Sequence, residues 1–177
     1  MHGVTAAEAS DVQVYHALAS VIREEVMINW TATHRTWRRE RPRIVYYLSL
    51  EYMPGRLLGT SMSNACVTEL ITAVLKQIGR DLSTISHMEP DIGIGNGGLG
   101  RLASCLMDSL ASLHYPAMGY GMRYQYGIFE QEVWCGTQVE RPDCWLIRQN
   151  PWDFPRDERG VSVRFAETTI KRESSCG

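Results

Sequence analysis

The chain has 177 residues, a net charge of −2 at pH 7, 44% hydrophobic residues and 21% charged residues. This is an ordinary globular composition, long enough for one sizeable core. It leaves no strongly basic footprint for nucleic acid and no stretch that reads as a signal segment or membrane span. Five cysteines (Cys66, Cys105, Cys135, Cys144, Cys176) are odd in number and nowhere spaced C-x-x-C. They predict reduced thiols in a cytoplasmic protein and no zinc or other metal site.

Asp11 reads as the N-cap of a long helix whose apolar stripe is Val14/Tyr15, Leu18, Ile22, Val26 and Trp30. Its polar end carries Arg35, Arg38, Arg39, Arg41 and Arg43, interrupted by Glu40 and Pro42; a solvated basic face is the plain reading. Ile44 to Leu50 is β-rich and apolar on both faces, which predicts a buried parallel strand. Glu51 stands at its carboxyl end, where ligands sit in open α/β sheets. Three roles are open to it: a functional carboxylate, a cap for the next helix, or a partner for Arg56. Ser63 to Ile78 predicts a helix stopped by Gly79, and Asp81 to Ser86 a short helical turn.

The stretch Asp91 to Leu113 organises the chain. Gly93, Gly95, Gly97, Gly98 and Gly100 fall within eight residues. An amphipathic pattern of Leu99, Leu102, Leu106, Leu110 and Leu113 follows at once. A glycine loop before a helix aims unpaired N–H groups and the positive end of the helix dipole at whatever lies in front. That is an anion site, most often for phosphate; the alternative is a tight turn that only permits close packing. Within the helix, Arg101 and Asp108 suit a surface pair or a buried clamp, and His114 reads as structural. Pro116 to Gly121 predicts the next strand, and Tyr120, Tyr124, Tyr126 and Phe129 continue into hairpin-like structure. From Trp134 onward the pattern weakens into loops broken by Pro142, Pro151 and Pro155. Val161 to Phe165 alternates as a strand does.

The loop satisfies G-x-G-x-x-G twice, so a dinucleotide-binding module is a competing reading. That fingerprint requires a hydrophobic strand directly before it and an acid about 20 residues after it. Ser83 to Pro90 is no buried strand, and the chain reads Ala117-Met118-Gly119 where the acid belongs. No Gly-Lys-Ser/Thr follows, which excludes a Walker A loop.

Glu89-Pro90-Asp91-Ile92-Gly93-Ile94-Gly95-Asn96-Gly97-Gly98-Leu99-Gly100-Arg101-Leu102-Ala103 resembles the E-x-D-x-G-L-G-N-G-G-L-G-R-L-A signature of glycogen and starch phosphorylases. Tyr46 to Tyr52 with Gly55-Arg56 is similar to the family's Y-Y-L-S-L-E-F-x-x-G-R, and Gly119 to Phe129 to its G-Y-G-I-R-Y-E-F-G-I-F. Asp143, Trp145-Leu146 and Asn150-Pro151-Trp152 form a fourth, weaker block. The resemblance covers about residues 12 to 166.

The resemblance implies an α/β fold, the first part of the N-terminal Rossmann-like domain of a two-domain glucosyltransferase of the GT-B type. Residues 1–166 would be a partial N-terminal domain, and 167–177 a divergent tail from a frameshift or truncation. It implies phosphorolysis of α-1,4-glucan by inorganic phosphate, giving glucose 1-phosphate, with pyridoxal phosphate held by a lysine beyond this chain. Asn96, Gly97, Gly98 and Leu99 would then face the substrate phosphate and sugar, with Glu51 and Met53 close to the cleft. Met53-Pro54 departs from the aromatic or aliphatic pair of many members. The regulatory nucleotide positions of the animal enzymes read His34, Arg35 and Arg38 here. The family is usually homodimeric. The 177-residue chain alone is expected neither to hold the cofactor nor to catalyse the reaction; a non-catalytic glucan- or partner-binding remnant is the alternative.

Overall fold

The computed structural model describes residues 3–147 and 150–163 and shows mixed helix and strand, an α/β chain. The first helix, α1 (Asp11–Glu40), is capped one residue earlier than its sequence suggests. Ser10 Oγ accepts the Gln13 N–H at 3.3 Å while Gln13 Oε1 accepts the Ser10 N–H at 2.9 Å, a reciprocal capping box. Asp11 is instead a first-turn acid paired with Arg80 at 2.5 Å. The stripe is buried only along the first turns, at Val14, Tyr15, Ala19 and Ile22; Val26 and Trp30 are exposed, contrary to expectation.

The expected helix over 63–78 is two. They are α2 (Leu58–Asn64) and α3 (Thr68–Gln77), separated where Cys66 takes a φ of +57°. Gly79 at φ +71° ends α3 as its position predicts. A short α4 (Leu82–Ser86) follows, with Asp81 accepting the N–H groups of Ser83 and Thr84. Ala9, Tyr15, Ala19, Ile22, Leu58, Met62, Leu75 and Ile85 form the core where these four helices meet.

Strand β1 (Val45–Leu48) pairs in parallel with β2 (Ala117–Tyr120), Val45 opposite Ala117 and Leu48 opposite Tyr120. The direction agrees with the sequence and the burial does not, since Tyr46 is 55% and Leu48 77% exposed. Between them lies α5 (Gly98–Ser112), which packs on β2. Of its amphipathic leucines, Leu99, Leu102, Leu106 and Leu113 are exposed, and the small residues Gly100 and Ala103 are buried instead. Of that face only Leu110 is half-buried. His114 follows the helix at φ +59°.

Beyond the aromatic run, β3 (Glu130–Trp134) and β4 (Thr137–Arg141) form an antiparallel hairpin closed by Cys135 and Gly136, both at positive φ. The sequence reading placed loops from Trp134 onward and so missed β4. Residues 161–163 pair with no strand; the rest of the expected strand, and the stretch 167–177, lie outside the described residues.

Candidate functional site

The turn after β1 and the glycine loop before α5 are laced together. Tyr52 donates its N–H to the Ile94 carbonyl at 2.8 Å, and Met53 donates its N–H to the Gly100 carbonyl at 2.9 Å. Glu51 Oε2 accepts the Asn96 N–H at 3.1 Å, and Arg101 Nη1 donates to the Met53 carbonyl at 3.3 Å. Glu51 therefore takes none of its structural alternatives. Arg56 lies instead 3.8 Å from Asp91, and the start of α2 is capped by another acid. Arg101 is a clamp on the turn and has no bond to Asp108, which is exposed on α5.

The turn is itself held from below. Tyr52 donates its hydroxyl to the carbonyls of Tyr47 (2.7 Å) and Tyr120 (3.2 Å), bridging the ends of β1 and β2. Tyr124 donates to the Leu50 carbonyl at 2.9 Å. Burial of the Tyr52 phenol raises its pKa. Its side chain lies over Gly119 and Gly121, where a Cβ would come within 3.1 Å of the hydroxyl and 2.8 Å of the ring.

The five loop glycines separate into two sets. A Cβ on Gly93 would sit 2.5 Å from the Trp145 ring, one on Gly95 would collide with the Tyr52 carbonyl, and one on Gly100 would press on Glu51 at 3.2 Å. Those three serve close packing. A Cβ on Gly97 or Gly98 would meet nothing within 4 Å. Gly97 is extended (φ −164°, ψ −148°), a backbone that any residue adopts. Neither packing nor backbone strain asks for glycine at these two positions.

The first N–H groups of a helix have no intrahelical acceptor. Among the described residues none accepts from Gly97, Gly98 or Leu99, and Leu99 is 63% exposed. The structure thus brings Asn96, Gly97, Gly98 and Leu99 together with Glu51 and Met53. It commits the Asn96 N–H to Glu51 and gives the next three amides no acceptor among the described residues. A tetrahedral oxyanion suits such a set of donors at a helix N-terminus.

Sequence reasoning missed Glu89, the described chain's one buried charged side chain, at 3% exposure. Its carboxylate accepts the N–H groups of Leu57 (2.9 Å) and Leu58 (3.1 Å) and the Trp152 indole N–H (2.8 Å). It caps α2 and ties the 150s to the helical core. Burial and then the Glu89 charge push the neighbouring Tyr15 phenol far above its usual range. No periodicity announces an acid of this kind. Asp143, from the weaker fourth motif, is also raised by burial and by Asp91, and its carboxylate lies against Gly127, where a Cβ would strike it.

Beside the loop opens a cavity of about 480 Å³ lined by Tyr52, Ile92, Ile94, Trp145 and Trp152, with the Arg123–Asp153 ion pair at 2.5 Å among its few charges. Its walls are mostly apolar.

A Schiff-base cofactor needs a lysine, and the chain has two, Lys76 and Lys171. Lys76 is exposed on α3, which packs chiefly on α2 and α4, and Lys171 lies outside the described residues. The described residues therefore do not fit pyridoxal phosphate. Among them no group of three or more His, Cys, Asp or Glu could hold a metal ion, and no helix is long and apolar enough to cross a membrane. Cys66, Cys105, Cys135 and Cys144 are free thiols.

The model of the carbohydrate phosphorylase family matches residues 75–176, more than half of the chain. The glycogen phosphorylase of Haemophilus influenzae is 44% identical over 158 residues, covering 89% of this chain and 19% of that protein. That of Saccharomyces cerevisiae is 41% identical over 168 residues, covering 88% and 19%. The alpha-1,4 glucan phosphorylase L isozyme of Vicia faba, described as chloroplastic/amyloplastic, is 42% identical over 153 residues, covering 86% and 15%. The chain spans 15–19% of the length of these relatives. Across motif, fold class and similarity, it belongs to the carbohydrate phosphorylase family.

Proposed function

We propose that this chain takes part in phosphorolysis of α-1,4-glucan, in which inorganic phosphate receives the terminal glucosyl unit to give glucose 1-phosphate. Gly97, Gly98 and Leu99 present backbone N–H groups to the substrate phosphate and the sugar, with the exposed Asn96 side-chain amide beside them. The single observation behind this role is that Gly97 and Gly98 have open space where a side chain would be. Their bareness serves an approach from outside the described residues. Preorganised N–H groups hold a developing anionic charge without the reorganisation that water or a mobile lysine would need.

In this reading the chain contributes to the N-terminal Rossmann-like domain of a two-domain enzyme that is homodimeric. We place it in the cytoplasm. Pyridoxal phosphate is supplied with its lysine by other parts of the enzyme. Glu51 and Met53 line the cleft side of the loop. The 177-residue chain by itself neither holds the cofactor nor releases glucose 1-phosphate.

The test is a chimera in which residues 12–166 replace their counterpart in the Haemophilus influenzae glycogen phosphorylase. Release of glucose 1-phosphate from glycogen is expected. In the chimera, Gly98→Val lowers kcat about 100-fold or more, the scale of losing an oxyanion donor. An active chimera indifferent to Gly98→Val contradicts the assignment of the loop.

A further inference from the structure

We propose that Glu51 is the positioning residue of the glycine loop. Its carboxylate takes the Asn96 N–H and thereby fixes the direction in which the Gly97, Gly98 and Leu99 amides point. The use of those amides for phosphate rests on the function proposed above; the positioning does not.

Glu51 Oε2 is 3.1 Å from the Asn96 nitrogen. The side chain also lies along the first turn of α5, its Cβ 3.2 Å and its Oε2 3.4 Å from where a Gly100 Cβ would be. It cannot swing toward α5 without meeting the helix. Its backbone is equally fixed: Ser49 donates its hydroxyl to the Glu51 carbonyl at 2.7 Å, and the adjoining carbonyl of Leu50 accepts from Tyr124. The neighbours Tyr52 and Met53 bond to Ile94 and Gly100, on either side of Asn96. Turn, loop and helix start are thus joined by four bonds, two between backbones and two through the side chains of Arg101 and Glu51, and Glu51 holds the residue next to the open glycines.

A carboxylate suits this task for two reasons. A charge-assisted bond to an N–H is roughly twice as strong as a neutral one. A negative charge beside a helix N-terminus is also favourable. Yet the same charge opposes an arriving phosphate. Glu51 therefore helps the anion only by shaping the loop, and the two effects separate in different variants. Glu51→Gln keeps an acceptor for Asn96 and drops the charge. Glu51→Ala loses both.

The experiment follows amide exchange and inorganic phosphate titration by NMR in the whole chain, with β1 and β2 amides as internal controls. In E51A the Asn96 amide exchanges about tenfold faster or more, while the controls keep their rates. In E51Q exchange returns to within about threefold of the parent, and phosphate binds about two- to fivefold more tightly than to the parent. Should E51A fail to fold, Glu51→Asp gives the same reading: it retracts the oxygens by one methylene, and Asn96 exchange rises in E51D and not in E51Q. Unchanged Asn96 exchange in E51A and E51D, or no rescue in E51Q, overturns the positioning role. No phosphate response in any variant, with the exchange pattern intact, overturns the phosphate reading and supports the positioning.

Discussion

The N-terminal turns of α1 and the leucine face of α5 carry the same signal in the sequence, apolar residues at helical spacing, and meet opposite fates. Tyr15, Ala19 and Ile22 are buried against α2 and α4, whereas Leu99, Leu102 and Leu113 are each more than half exposed. Amphipathicity specifies which face of a helix seeks burial and says nothing about whether the described chain contains its partner. The same contrast separates the helical core from β1 and β2. Their parallel pairing belongs to sheets covered on both faces, and Tyr46 and Leu48 lie open.

Substitutions at the two faces sharpen that contrast most. Ile85 is wholly buried in the helical core, so Ile85→Ala costs about 2–5 kcal/mol in urea unfolding. Leu102→Ala, on the open face, changes stability by no more than about 0.5 kcal/mol. Equal losses would mean that the α5 face is covered. The glycines divide in the same way with a smaller span. Gly95→Ala drives a methyl into the Tyr52 backbone and costs about 1–3 kcal/mol, whereas Gly97→Ala leaves the melting temperature unchanged.

Alkaline titration adds a gentler probe of the core. Tyr15 keeps its phenol neutral well above the ordinary range because of burial and then the Glu89 charge. Above about pH 10 the unfolded chain loses that proton while the folded chain retains it. Stability then falls as pH rises, by up to about 1.4 kcal/mol per pH unit, and is fully present below pH 10. Tyr15→Phe flattens this limb; an unchanged slope would contradict the burial assigned to Tyr15.

Much of the fold was legible because its cues are local. The Gly79 stop, the short helical turn after it and the long first helix follow from single residues and their spacing. The break at Cys66 was not, because no glycine or proline marks it. The β4 strand was hidden by a hairpin turn of Cys135-Gly136, outside the usual Asn-Gly and Asp-Gly signals. Glu89 stands in the glycine-loop motif, but its role depends on Leu57 and Trp152, 32 and 63 residues away.

At the site, the loop was legible from its glycines and the division of labour among them was not. Close packing, one of the two alternatives weighed, claims Gly93, Gly95 and Gly100, and it leaves Gly97 and Gly98 for the proposed anion approach. Only the neighbours Trp145, Tyr52 and Glu51 reveal which.

The central claim is that Gly97, Gly98 and Leu99 form an anion site, and its most direct test is titration of the isotope-labelled chain with inorganic phosphate, read at each backbone amide. The account predicts saturable shifts centred on those three amides and absent in Gly98→Val. A response centred instead on the basic cluster Arg35 to Arg43, or no saturable response at the loop, would contradict it.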